Sequence, residues 1–220
     1  MSTHPVTFQF KARYQTLGKL EADTKKVWFV LHGYGQLAEY FLRKFKSLEE
    51  QGIYVIAPEG LSHFYIEDVT KRSQGGSQRV GATWMTRENR LMDIENYLTY
   101  LNTIYQQEIG KRNDLDITVL GFSQGAATAS RWVLENQIQF NRLLLWAGMF
   151  PDDMDFAKGH EVLLNKKVQL VYGKQDHFLN DERLVHMEKL TQKLNVPAEV
   201  ITFDGGHEID EPTLSRLAKN

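Results

Sequence analysis

The most specific chemistry in this chain of 220 residues is the string Gly121-Phe122-Ser123-Gln124-Gly125. It follows Ile117-Thr118-Val119-Leu120, an apolar β-branched run that reads as a buried strand. It precedes Ala126-Ala127-Thr128-Ala129-Ser130-Arg131-Trp132-Val133-Leu134, which reads as a helix rich in small residues. A Gly-x-Ser-x-Gly between a strand and a helix is a nucleophile elbow. The turn is so tight that the positions two before and two after the serine must lack side chains, which glycine supplies. The Ser123 hydroxyl is then held clear of the sheet at a helix N-terminus, where the dipole favours a developing negative charge. The same five residues also fit a plain strand-to-helix turn that happens to contain serine, so the decision rests on partners elsewhere in the chain.

A serine hydroxyl is a poor nucleophile near neutral pH and needs a base, which in turn needs an orienting acid. In a strand-helix alternation the order after the serine is acid, then histidine, each just past a later strand. Val168-Gln169-Leu170-Val171-Tyr172 reads as a strand and runs into Gly173-Lys174-Gln175-Asp176. Val200-Ile201-Thr202-Phe203 is the next, and it ends in Asp204-Gly205-Gly206-His207, where two glycines permit a tight loop. Ser123, Asp176 and His207 are therefore the expected catalytic triad. Among rivals, His177 neighbours Asp176 and is expected at a pocket rim. Asp152, Asp153 and Asp155 follow the strand at 142–146 and read as a solvated acidic loop. Asp204 and Glu208 read as loop hydrogen-bonders, while His4, His63, His160 and His186 have no motif around them and read as surface residues.

An acyl-transfer site also needs donors for the oxyanion of its tetrahedral intermediate. Val27-Trp28-Phe29-Val30-Leu31 is apolar throughout, fit for a central parallel strand, and His32-Gly33-Tyr34-Gly35-Gln36 follows it. The equivalent loop supplies one backbone N–H and the residue after the nucleophile supplies the other, which points to the amides of Tyr34 and Gln124. His32, just past the strand, is expected to brace that loop by hydrogen bonds rather than to react.

Taken together, Leu31-His32-Gly33-Tyr34-Gly35, Gly121-Phe122-Ser123-Gln124-Gly125-Ala126, Tyr172-Gly173-Lys174-Gln175-Asp176 and Gly205-Gly206-His207-Glu208-Ile209 resemble the phospholipase/carboxylesterase family of α/β-hydrolases. That family includes acyl-protein thioesterases and small bacterial carboxylesterases. The resemblance spans residues from about 27 to 215, and Gly-Phe-Ser-Gln-Gly is its most specific part. It implies a metal-independent serine hydrolase acting on carboxylic esters or thioesters, without a cofactor, with the triad and oxyanion amides on the residues already named. Two stretches depart from the pattern: Leu145-Trp146-Ala147-Gly148, where many members carry a small residue, and the segment after Ala57-Pro58-Glu59-Gly60. Both bear on substrate choice and leave the triad alone.

The elements that must position these residues alternate as in a doubly wound, mostly parallel sheet with helices on both faces. Strands are expected near 6–15, 27–31, 53–57, 117–120, 142–146, 168–172 and 199–203, and helices near 37–50, 87–108, 125–137, 181–194 and 211–219. Val6, Phe8 and Phe10 alternate with polar residues and suggest an antiparallel edge strand. Asp181 is expected to open a capped helix carrying Leu184, Val185, Met187 and Leu190. No repeat or linker divides the sequence, so a single domain over 1–220 is expected.

Residues 61–86 show no clear periodicity and are expected to form a loop excursion over the active site. They leave the C-terminal end of a strand, the side on which open α/β sheets bind ligands. Phe64, Tyr65, Trp84 and Met85 are candidate substrate-binding residues there, with Trp146, Met149, Phe150, Phe178 and Leu179 opposite. Lys71, Arg72 and Arg79 read as a solvated basic loop.

Composition narrows the function classes. The absence of cysteine excludes a thiol nucleophile, a disulfide or a thiolate metal site, and the remaining His and Asp show no zinc-ligand spacing. A net charge of −2 gives no electrostatic footprint for nucleic acid. No apolar stretch approaches the ~20 residues that span a bilayer, and residues 1–7 lack the basic start and apolar core of a secretory leader. The expected partner is a small-molecule ester or thioester and the expected compartment the cytoplasm, with oligomeric state open. Two other functions use the same residues or fold: a non-catalytic hydrolase-fold binding protein, and an acyltransferase working through the same triad.

Overall fold

The computed structural model describes residues 2–219. Its strands are β1 (Tyr14–Leu17), β2 (Lys26–Leu31), β3 (Tyr54–Pro58), β4 (Ser62–Tyr65), β5 (Val80–Thr83), β6 (Asp116–Phe122), β7 (Arg142–Trp146), β8 (Lys167–Gly173) and β9 (Ala198–Phe203). Its helices are α1 (Ala38–Leu42), α2 (Lys46–Glu49), α3 (Val69–Ser73), α4 (Arg90–Glu108), α5 (Gln124–Leu134), α6 (Phe156–Leu163), α7 (Asp181–Leu194) and α8 (Glu211–Lys219), with a 3-10 turn at Arg43–Phe45 between α1 and α2.

Seven strands form one sheet in the order β1-β3-β2-β6-β7-β8-β9. All neighbours are parallel except β1, which runs antiparallel to β3 at the edge. This is the α/β-hydrolase fold. The central strands are apolar on both faces because both are covered. Val27, Phe29 and Leu31 of β2 face one core with Tyr97 and Leu101 of α4, Trp132 of α5 and Leu190 of α7. Trp28 and Val30 point the other way, against Phe41 of α1, Phe45, Leu48 of α2 and Leu214 of α8. The period-two alternation of a strand is thus what distributes the helices to the two faces.

Several expected elements fall elsewhere. The edge strand is antiparallel as expected but occupies Tyr14–Leu17, where Tyr14 pairs with Pro58. Val6, Phe8 and Phe10 lie outside it at 83%, 72% and 60% exposure. Alternation therefore misleads here, because a period of two signals a half-buried strand only where a sheet edge lies beside it. The helix expected over 37–50 is broken into α1, the 3-10 turn and α2. Helix α6 has no counterpart in the sequence reading, although Asp155 caps it by accepting from the Ala157 and Lys158 amides. Asn180, not Asp181, caps α7 and accepts from the Arg183 amide.

The excursion at 61–86 is ordered rather than structureless. β4 and β5 form an antiparallel hairpin in which Ser62 pairs with Thr83 and Tyr65 with Val80, and α3 sits between them. Four-residue strands and a five-residue helix with no buried residue are too short to print a period on the sequence.

The exposed N-terminal aromatics give a direct test. Phe8→Ser should alter unfolding free energy by no more than about 0.5 kcal/mol, whereas Trp132→Ala, in the larger core, should cost about 3–5 kcal/mol. Urea titration of both variants measures this. A loss above about 1 kcal/mol for Phe8→Ser would mean that the segment packs on the fold.

Candidate active site

The strained turn comes first. β6 ends at Phe122 and α5 begins at Gln124, so Ser123 alone turns the chain, with φ 54° and ψ −117°. A non-glycine residue there persists only where its surroundings over-determine it. The Ser123 amide donates to the Trp146 carbonyl of β7 at 2.8 Å. A Cβ on Gly121 would collide with the Gly125 carbonyl, and one on Gly125 with the Leu31 carbonyl. The two motif glycines therefore let α5 sit directly on the ends of β6 and β2.

Asp176 and His207 arrive on the loops after β8 and β9. Those loops are cross-linked by backbone bonds from Lys174 to Phe203 and from Gln175 to Gly205, both 2.9 Å. Asp176 is buried; its Oδ1 accepts from the Phe178 amide at 2.9 Å, and its Oδ2 lies 2.7 Å from His207 Nδ1. A carboxylate on Nδ1 fixes that nitrogen as the protonated one and leaves Nε2 as a base. The imidazole packs 4.9 Å from the Phe122 ring, the residue before Ser123, and 4.6 Å from Phe178.

The loop after β2 lies against the same elbow. A Cβ on Gly33 would stand 3.2 Å from Ser123 Cβ. Gln36 Oε1 accepts from the Gly33 amide, and the loop is tied to β5 by Gly35 N–H to Ala82 O at 2.8 Å and Ala82 N–H to Gln36 O at 3.2 Å. The Gln124 side chain is anchored to the same strand end, with Nε2 donating to Met85 O and Oε1 accepting from the Trp84 amide. Among the described residues, the backbone amides of Tyr34 and Gln124 donate to no protein acceptor.

His32 is wholly buried and braces this loop. Its Nε2 accepts from the Gly60 amide at 2.9 Å, so Nδ1 carries the proton and donates to Gly33 O at 2.8 Å. Burial lowers its pKa to about 4, partly offset by the Gly33 carbonyl and by Glu59. Glu59, also buried, accepts from Arg13 Nε at 2.6 Å, His63 Nε2 at 2.9 Å and the Ala38 amide at 2.9 Å. Burial would raise the Glu59 carboxyl, but the bonds from His63, Arg13 and Ala38 outweigh it and hold it below its ordinary value. Sequence reasoning gives no sign of Glu59, since a lone carboxylate after a strand-ending proline belongs to no pattern. His63 lies at the surface as expected, and the sequence gives no sign of its contact with Glu59.

The rival acids are engaged elsewhere. Asp153 pairs with Arg90 and Arg131, which hold its carboxyl down at about 2 against the opposing effect of burial. Asp152 meets His186, Asp155 caps α6, and Asp204 meets Lys174. His177 stands exposed at the rim, its ring 4.1 Å from Phe178.

Three expected pocket-wall residues are corrected. Trp84 and Trp146 are fully buried, each with its indole N–H spent on a backbone carbonyl: His32 O at 2.8 Å and Glu208 O at 2.7 Å. Neither presents a face to a ligand. Phe150 is likewise buried in the core. Aromatic rings that do reach solvent here include Tyr34, stacked 5.0 Å from Phe64, and Phe178 over His207. Tyr65 is exposed under the Arg72 guanidinium, while Met85 and Leu179 are half-buried.

A family model described as serine hydrolase (FSH1) matches residues 22–217. The chain belongs to that family. Solved structures agree on the fold. Zea mays acyl-protein thioesterase 2 superposes with a TM-score of 0.70 at 15% identity, covering 95% of this chain and 97% of its own. Esterase PE8 gives 0.67 at 18% identity over 96% and 99%. Arabidopsis thaliana SOBER1 gives 0.64 at 17% identity over 89% and 96%. No curated protein matches the chain in sequence. Hydrolase chemistry therefore follows from the family, and the likeness to these structures shows the architecture.

The neutral, buried His32 has a pH consequence. The unfolded chain takes up this proton near pH 6.5, while the folded chain refuses it until about pH 4. The unfolded state thus binds more protons in that window, and stability falls as pH drops through it, by an amount on the order of 3 kcal/mol. His32→Asn should be less stable at pH 7 and should flatten the decline between pH 6.5 and 4 in urea titrations. An unchanged slope would mean that another group carries it.

Proposed function

We propose that this serine hydrolase cleaves carboxylic esters or thioesters through an acyl-enzyme on Ser123, with His207 as base and Asp176 as orienting acid. The observation that carries this reading is the 2.7 Å contact between buried Asp176 and His207 Nδ1, with the imidazole packed on the residue preceding the elbow serine. His207 Nε2 takes the Ser123 proton as the hydroxyl adds to the carbonyl carbon. The resulting oxyanion is held by the amides of Tyr34 and Gln124, each worth about 2.7–4 kcal/mol in the barrier. His207 returns the proton to the leaving alcohol or thiol. Water activated by the same imidazole then releases the acid. The chain is proposed to act as one catalytic domain, and no described helix is long and apolar enough to cross a membrane.

A fluorophosphonate probe should label Ser123 in the parent and not in Ser123→Ala. Asp176→Asn, which leaves the imidazole in the wrong tautomer, should lower kcat by up to about 10⁴-fold. Asp152→Asn and Asp153→Asn should stay within a few-fold, because those carboxylates face His186 and the Arg90–Arg131 pair. The reverse ranking would move the acid to the loop after β7. Labelling without turnover on any ester or thioester would favour a binding protein, and product formed only with an added alcohol would favour an acyltransferase.

Substrate walls are proposed at Phe64, Tyr65 and Met85 on one side and Phe178 and Leu179 on the other. The hairpin that carries Phe64 also borders a cavity of about 700 Å³ beside the loop after β2, whose lining mixes Leu37, Tyr40 and Ile66 with Lys44, Gln78 and Arg79. An apolar wall selects chain length at about 0.8 kcal/mol per buried methylene. Phe64→Ala or Phe178→Ala should shift the chain-length optimum of kcat/KM on p-nitrophenyl esters while Ser123 still labels. Trp84→Ala should instead lower activity on acetate and octanoate esters alike, because it loosens His32. If Phe64→Ala and Phe178→Ala leave the profile flat, the acyl chain binds elsewhere.

A further inference from the structure

We propose that Glu59 is a positioning residue for the oxyanion loop, acting through the backbone at the loop's far end. This rests on the reading of Tyr34 as an oxyanion donor. Residues 33–37 run from the end of β2 to the start of α1, and they carry the Tyr34 amide between two anchors. Both anchors come from one dipeptide, Glu59-Gly60, which follows β3. At the near end the Gly60 amide donates to His32 Nε2, whose Nδ1–H holds Gly33 O. At the far end Glu59 Oε2 accepts the Ala38 amide at 2.9 Å.

That second bond substitutes for an ordinary helix cap. The N-cap position of α1 is Leu37, in extended conformation and with no side-chain oxygen to offer. The first amides of a helix have no intrahelical acceptor, so without Glu59 the Ala38 N–H would be left buried and unpaired beside the loop. Supplying the acceptor from a different strand couples the loop's end to the sheet itself, which a local serine or aspartate cap would not do. Glu59 is in turn fixed by groups from three further segments. Arg13 Nε and His63 Nε2 share its Oε1, and the Glu59 amide donates to the Tyr100 hydroxyl, which donates to Arg13 O. With 3% of its surface exposed, the carboxylate is oriented by these protein donors.

The consequence is specific to the reaction. A loop free at one end still lets substrate enter, but it no longer holds the Tyr34 N–H where the oxyanion forms. Donors of that kind act in the transition state, so their loss lowers kcat and leaves KM near its parent value.

The test uses the full chain with a fluorophosphonate, a p-nitrophenyl ester and a trifluoromethyl ketone that adds to Ser123 as a tetrahedral oxyanion. All measurements are made well below each variant's melting temperature. Glu59→Ala should lower kcat by about ten- to a hundredfold, below the 10²–10³ seen for outright removal of a donor, with KM within about threefold. Trifluoromethyl ketone affinity should fall by the same factor as kcat/KM. Glu59→Gln is isosteric and guards against a failure to fold. It keeps one oxygen, enough for Ala38 or for the Arg13 and His63 donors but not both, and should show a parallel loss of about three- to tenfold. The proposal is overturned if a folded variant keeps kcat and ketone affinity within twofold while its Tm drops, or if KM rises with kcat intact. Failure of the parent itself to label at Ser123 would overturn the catalytic reading instead.

Discussion

The close approach of α5 to the sheet is the constraint on which the site depends. Holding Ser123 in a left-handed conformation costs on the order of 1–3 kcal/mol, and that cost is met by contacts that a larger residue would forbid. Gly125 lies so near the Leu31 and His32 carbonyls that a methyl group there would force helix and strand apart. The same proximity brings the loop after β2 beside the serine. Strand register completes the arrangement: Leu31 pairs with Gly121, and Phe122 pairs with Trp146, so the ends of β2, β6 and β7 are level. Shifting β2 against β6 would move the loop that carries Tyr34 away from Ser123.

The two arms of the machinery are held by different physics. The proposed acid–base arm is secured by backbone bonds between the loops after β8 and β9, and the buried Asp176 meets His207 directly. The proposed oxyanion arm relies on side chains, since among the described residues the backbone bonds from its loop to the hairpin are Gly35–Ala82 and Gln36–Ala82 alone. That is why it needs an uncharged imidazole. Protonating His32 at Nε2 would set a donor against the Gly60 N–H and break the near anchor, so burial, which keeps the ring neutral, is part of the design. Glu59 is the opposite case, a charge kept ionised by Arg13, His63 and the Ala38 amide against the burial that would neutralise it.

Much of this was legible in the sequence because parallel strands covered on both faces read as continuous apolar runs, and reactive loops follow their C-terminal ends. The strands before His32, Ser123 and Asp176 are of this type, whereas β9, before His207, is an edge strand with Val200 exposed and was legible from its β-branched residues and the glycines that follow it. What depends on contacts between distant segments was not legible. Glu59 acts on residues 46 positions before it, 21 before it and 4 after it, and no local pattern encodes such a hub. Alternation at Val6, Phe8 and Phe10 resembles a half-buried strand whether or not a partner strand exists, and here the partner is β3 with Tyr14–Leu17.

The tryptophans show why residue type near a site does not settle its role. An indole brings a large apolar face and one N–H that, once buried, must find an acceptor. Trp84 donates to the carbonyl of His32, which begins the oxyanion arm, and stacks 5.0 Å from that imidazole. Trp146 donates to the carbonyl of Glu208, next to His207 at the tip of the acid–base arm. Each arm therefore has one tryptophan behind it, tied to the backbone at a residue that matters. A phenylalanine would fill either space but leave a carbonyl without its donor, a buried one in the case of His32. The polar edge of the ring, more than its bulk, accounts for tryptophan at both positions, while rings free of that obligation, Phe64 and Phe178, are the ones proposed as substrate walls.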